Sequence, residues 1–199
     1  MRKNLLLFLL VILFFSCKQT ATKNNTLDLH KVFSENDTLY YLSNEPFKLR
    51  KAREFLAKDL GLELSIIFIL KDISQLEYSK KLKEETEDKN SELWRRIGLK
   101  HNSNIKMQFE SQLKSEYQKI ILAQSLFDNN KKVQNFLNNI YKTGPFVIPI
   151  PRKKISDSIY VWYTWKIYND DDEFKTNEPF AKFNINLSNN EIIIKTSEK

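Results

Sequence analysis

The sequence predicts an α+β domain in which a helical middle, of three to four helices, packs on an antiparallel sheet ending in a C-terminal β-meander. Three observations carry this. Apolar residues recur at helical spacing from Ile105 to Tyr141. Ser158 to Tyr168 (SIYVWYTWKIY) is dense in β-branched and aromatic residues. Phe180 to Leu187 alternates apolar with polar before the turn Ser188-Asn189-Asn190.

Taken in order, Thr38–Leu42 reads as a short strand at a sheet edge. Asn44 is placed to cap a helix with Pro46 in its first turn; Leu49, Ala52, Phe55, Leu56 and Leu60 follow helical spacing, and Gly61 supplies the stop. Leu62–Leu70 turns continuously apolar, which predicts a central strand covered on both faces. Ser74-Gln75-Leu76-Glu77 has the form of a capping box, with Ile73 and Tyr78 as its staple. The polar stretch Lys80–Glu92 then projects into solvent or lacks order, and Leu93, Trp94 and Ile97 restore an apolar face. Asn102-Ser103-Asn104 offers a cap for a long helix bearing Ile105, Phe109, Leu113, Tyr117, Ile120, Gln124 and Phe127. A further helix carries Val133, Phe136, Leu137, Ile140 and Tyr141 and ends at Gly144-Pro145. The prolines of Phe146–Pro151 confine that segment to an edge, and Glu191–Lys195 closes the meander.

The chain of 199 residues has a formal net charge of +7, with two of its cations at Arg2 and Lys3. Its remaining cations alternate with acids, so the excess describes a mixed solvated surface and not a nucleic-acid groove. Arg2-Lys3 precede an unbroken apolar run, Leu5–Phe15, about half the roughly 20 residues that a membrane-spanning helix needs. Ser16 and Cys17, the one cysteine in the chain, follow directly. Residues 1–17 resemble the lipoprotein signal, or lipobox, of bacteria of the Bacteroidota type, with Phe14 where leucine is usual. The resemblance implies cleavage between Ser16 and Cys17 and acylation of Cys17, giving stable attachment to a bilayer. Lys18–Thr26 reads as a polar tether without acids. The expected organisation is a signal at 1–16, an acylated cysteine and tether at 17–30, and one domain at 31–199. Surface-exported lipoproteins of the Bacteroidota often carry acids just after the cysteine, so the resemblance implies that this acid-free tether holds the protein in the inner leaflet of the outer membrane, facing the periplasm.

Candidate sites are few. One face of the strand at 158–168 holds Ile159, Val161, Tyr163, Trp165 and Ile167 and is expected to be core. The other holds Tyr160, Trp162, Thr164, Lys166 and Tyr168, a candidate binding face unless it lies under the helices. Glu84, Glu85, Glu87 and Asp88 form a candidate acidic docking patch, otherwise the outer face of a helix. Asp170-Asp171-Asp172-Glu173 lacks the spacing and glycine of a calcium loop. His30 and His101 are the only histidines, and neither a nucleophile motif nor a glycine-rich phosphate loop is present, so no cofactor or metal is expected. These features favour a non-enzymatic binding protein with a protein or envelope ligand, for instance an immunity protein against a toxin delivered to the periplasm. A hydrolase of envelope polymers using paired carboxylates, or an outer-membrane assembly factor, are the alternatives.

Overall fold

The computed structural model describes residues 28–34, 36–42, 44–67, 76–101, 104–143, 146–167 and 179–196. After a 3-10 turn at Leu29–Lys31, the elements are β1 (Thr38–Leu42), α1 (Phe47–Leu60), β2 (Glu63–Ile67), α2 (Leu76–His101), α3 (Ile105–Asn129), α4 (Lys131–Thr143), β3 (Phe146–Ser156), β4 (Ile159–Ile167), β5 (Ala181–Asn186) and β6 (Glu191–Thr196). The last four strands form one antiparallel sheet in chain order, the expected meander. β1 and β2 pair in parallel as a separate two-stranded sheet, with α1 as the crossover between them.

Local chemistry sets most boundaries. Gly61 takes φ 71°, where an L side chain is strained, and the N–H of Leu62 closes on the Ala57 carbonyl at 2.8 Å, ending α1. Asn104 caps α3 through the N–H of Met107. Asn130 separates α3 from α4: its backbone is extended, and its Oδ1 accepts from Lys132 and Val133 N–H. Asn190 accepts positive φ, 57°, in the final turn.

The core lies between the helices and one face of the antiparallel sheet. Phe127 of α3 stacks on Trp162 of β4 at 5.0 Å between ring centroids and meets Phe183 of β5 edge-on at 4.9 Å. Phe136 of α4 contacts Phe180 and Phe183. Ala181, Phe183 and Ile185 are buried in strict alternation, as the sequence pattern predicts.

Several expectations change. Tyr160, Trp162 and Thr164 are buried, because α3 packs on their side of β4; this side is core and not a binding face. On the opposite side Val161 is buried while Ile159 and Tyr163 are half-buried. Among the described residues β2 is neither central nor covered on both faces: it pairs there with β1 alone, and Ile66 is 41 % exposed. Asn44 does not cap α1; Pro46 holds that position without a side-chain hydrogen bond. Leu29 and Val32 are buried, so the fold begins inside the expected tether. The polar stretch after Lys80 is continuous helix within α2. Polar contacts tie α2 to the β1 strand and the residue before it: Asn90 brackets the Tyr40 peptide, accepting from its N–H at 2.9 Å and donating to its carbonyl at 2.8 Å, Lys89 lies over the Tyr40 ring, and Arg96 donates to the buried Asp37 carboxylate. The start of this helix at Ser74, the stop at Gly144-Pro145 and the acids at 170–173 lie outside the described residues.

The indole N–H of Trp162 is buried and meets no acceptor among the described residues. Truncation of a buried aromatic costs about 3–5 kcal/mol, but an unsatisfied buried donor itself costs about 1–3 kcal/mol. Trp162→Ala should therefore destabilise by about 3–5 kcal/mol in urea unfolding, and Trp162→Phe, which keeps an aromatic ring in the core and deletes the orphan donor, by well under half of that.

Candidate functional site

The described residues converge on one polar centre, built around Lys154. Lys154 pairs with Tyr160 across the β3–β4 ladder, so both side chains share the inner side of the sheet. Register shifts on either side, between Pro151 and Lys153 and between Lys154 and Ser156, aim this edge-strand lysine inward. Its side chain is 7 % exposed. The ammonium donates to Asp59 of α1 at 2.6 Å, to Glu116 of α3 at 3.0 Å, and lies 3.2 Å from Asp157 in the β3–β4 turn. Glu116 is itself 4 % exposed at its side chain and accepts from the Tyr160 hydroxyl through its second oxygen. Lys119, one turn along α3, lies 3.8 Å from Asp157, and His30 Nδ1 hydrogen-bonds the Asp59 carbonyl at 2.9 Å. A cleft of about 200 Å³ opens beside the cluster, lined also by Leu56, Gln112 and Ser115.

Electrostatics fix the protonation states. Burial works against the charge on Lys154, but the hydrogen bonds to Asp59 and Glu116 outweigh it and raise the ammonium above its ordinary range. Burial, then the hydrogen bond to Glu116, raises the Tyr160 phenol. The hydrogen bond from Lys154, and then Lys119, lowers Asp157. A catalytic acid or base needs a pKa moved towards neutrality. These three are moved away from it, and the ammonium has its three N–H groups directed at three carboxylates. The carboxylates do meet in space, but around a shared cation: Lys154 bridges all three, with Lys119 beside Glu116 and Asp157. The arrangement suits a structural clasp joining α1, α3, β3 and β4.

The positions expected from sequence are dispersed. Tyr160 belongs to the clasp and Trp162 to the aromatic core. Lys166 falls within β4 with its side chain outside the described set; Ser16, Cys17 and Tyr168 lie outside it altogether. Glu84, Glu85, Glu87 and Asp88 sit on the exposed face of α2, but Lys80–Glu84, Lys81–Glu85 and Lys83–Glu87 pair at 3.9 Å each, so the patch is largely charge-compensated. Glu116 and Lys154 went unnoticed in the sequence. Glu116 had a signal: it falls on the buried stripe of α3 between Leu113 and Ile120. Lys154 had none, because its inward aim depends on the register shifts. Among the described residues no group of three or more His, Cys, Asp or Glu could hold a metal ion, and no helix is long and apolar enough to cross a membrane. No family model matches the chain, and no curated protein or solved structure matches it.

Removing one partner of a buried ion pair leaves the other uncompensated, at a cost of about 3–5 kcal/mol. Lys154→Met should destabilise by that order, and adding Glu116→Leu should restore much of the loss, as read by denaturant midpoints. The pH dependence has a definite sign. Lys154 and Tyr160 hold their protons more tightly folded than unfolded, so their contribution is complete below about pH 10, the ordinary range of the phenol, and is lost as pH rises through their folded values. Unfolding free energy should fall steadily above pH 10, and Tyr160→Phe should flatten that fall.

Proposed function

We propose that the chain is a lipid-anchored protein of the cell envelope that acts by binding another protein and not by catalysis. One observation carries the non-catalytic part: the best-formed polar centre is saturated by its own ion pairs, with Lys154, Tyr160 and Asp157 held away from titration near neutral pH. The address is supported by the short apolar run ahead of Cys17. In the specific form we favour, the domain is an immunity protein: anchored by Cys17 in the inner leaflet of the outer membrane, it occludes a toxin entering the periplasm. Such a protein needs shape and surface, not reactive groups, and the exposed, charge-paired length of α2 offers surface without chemistry.

Two measurements test this. Cys17→Ala should abolish acyl labelling and move the protein from membrane to soluble fractions; unchanged fractionation refutes the anchor. Chemical cross-linking of the full chain in native envelopes should give one stoichiometric protein adduct, retained in Glu116→Gln. Hydrolysis of an envelope polymer by the purified chain, abolished in Glu116→Gln, would overturn the binding reading.

A further inference from the structure

Unpaired strand edges are hazardous, and proteins close them with charges, prolines, register breaks or covering side chains. The two sheets have four edges among the described residues, and three are closed in these ways. At β3, Pro149 and Pro151 lack N–H donors and two register shifts break the ladder. β6 carries the exposed charges Glu191 and Lys195. At β1, Asn90 occupies both the N–H and the carbonyl of Tyr40. β2 carries one charge, the exposed Glu63 at its start; beyond it, from Leu64 to Ile67, the strand is uncharged and proline-free, and Ile66 is 41 % exposed.

The phase of the parallel ladder identifies the groups on offer. The Glu63 N–H donates to the Asp37 carbonyl at 3.1 Å. In a parallel pair the residues alternate in which neighbour their peptide groups face, so Glu63, Ser65 and Ile67 face β1 while Leu64 and Ile66 face away. The same phase turns Tyr40 outward on β1, where Asn90 is found, an independent check on the assignment. Among the described residues nothing bonds the outward N–H and carbonyl groups of Leu64 and Ile66. They are two residues apart, about 6.6 Å, the repeat that an extended backbone presents.

We propose that the outer edge of β2 is a strand-addition site, taking an extended peptide segment of a partner protein through the backbone of Leu64 and Ile66, with the Ile66 side chain as an apolar contact. A parallel sheet of two strands is narrower than such sheets normally are, and a third strand would complete it. The occupant is a peptide segment and not a second copy, because a five-residue edge buries far less than the roughly 1,200 Å² that a stable dimer needs. That the natural partner is a protein rests on the binding reading above; the availability of the edge does not, and the test keeps the two apart by using a synthetic strand.

The test is amide hydrogen exchange, read by NMR on the full chain in detergent micelles, with an acetylated seven-residue peptide of alternating threonine and valine as probe. In the free chain, Ser65 and Ile67 amides should be protected while Leu64 and Ile66 exchange freely. Saturating peptide should slow Leu64 and Ile66 at least tenfold, and a peptide N-methylated at alternate residues should have no effect. Ile66→Pro deletes an outward donor without touching the β1 ladder and should weaken the peptide at least tenfold; Ile66→Thr, which keeps the donor, should stay within about threefold. Protection of Leu64 and Ile66 in the dilute free chain would overturn the proposal, as the edge would already be filled. Protection that grows with chain concentration alone would assign the edge to a second copy and equally overturn it. So would equal protection by the N-methylated peptide, or no protection at all.

Discussion

An ammonium group inside a protein is tolerated only where carboxylates surround it, and Lys154 imposes that constraint here. Removing such a charge from water costs several kcal/mol, so its partners must be present and well placed. They come from separate parts of the chain: Asp59 from the last turn of α1, Glu116 from the middle of α3, and Asp157 from the β3–β4 turn. Each pairing fixes the position of one element relative to the sheet edge. Tyr160 completes the set by satisfying the second oxygen of Glu116 from the neighbouring strand. The cleft beside the cluster is a consequence of this clasp, and its floor is spoken for by internal partners.

Away from the clasp, the fold is held by two different kinds of contact. The aromatic layer of Phe127, Trp162, Phe183, Phe136 and Phe180 joins α3 and α4 to the sheet by burial and ring packing. The small β1–β2 sheet is joined to α2 by specific hydrogen bonds, Asn90 to Tyr40 and Arg96 to Asp37. Burial alone would raise the Asp37 carboxyl, but the Ser34 N–H and Arg96 outweigh it and hold it below its ordinary value. That carboxylate supports the fold above its ordinary pKa, and its contribution fades as pH falls below about 4.

The sequence was most legible where one face of an element meets the core. Alternation in Ala181–Leu187 and the stripe of Ile105, Phe109, Leu113, Ile120 and Phe127 located the meander and the long helix because burial imposes those periods directly. It was least legible where an outcome depends on a distant partner. β4 is apolar on both sides, so alternation left open whether the side of Tyr160 and Trp162 is a surface or lies under the helices, and the packing of α3 decides it. β2 has the composition of a central strand but has one neighbour among the described residues, because composition does not report pairing. The polar residues of α2 concealed Asn90 and Arg96, whose roles exist only once β1 lies alongside. Of the candidate site, Tyr160 was named on a face open to either reading, Glu116 could have been seen as a charge in an apolar stripe, and Lys154 could not.

The picture that results is an α+β body whose charged interior is occupied by its own ion pairs. That view stands or falls on the state of the clasp. The most direct measurement is a side-chain NMR titration of the Lys154 ammonium. If the clasp is closed, the Nζ protons are resolved, exchange slowly with solvent, and remain in place past pH 10.5, the ordinary lysine value. Rapid exchange at neutral pH, or titration at or below the ordinary value, would mean that the ammonium is open to solvent and available for chemistry, and would contradict the account.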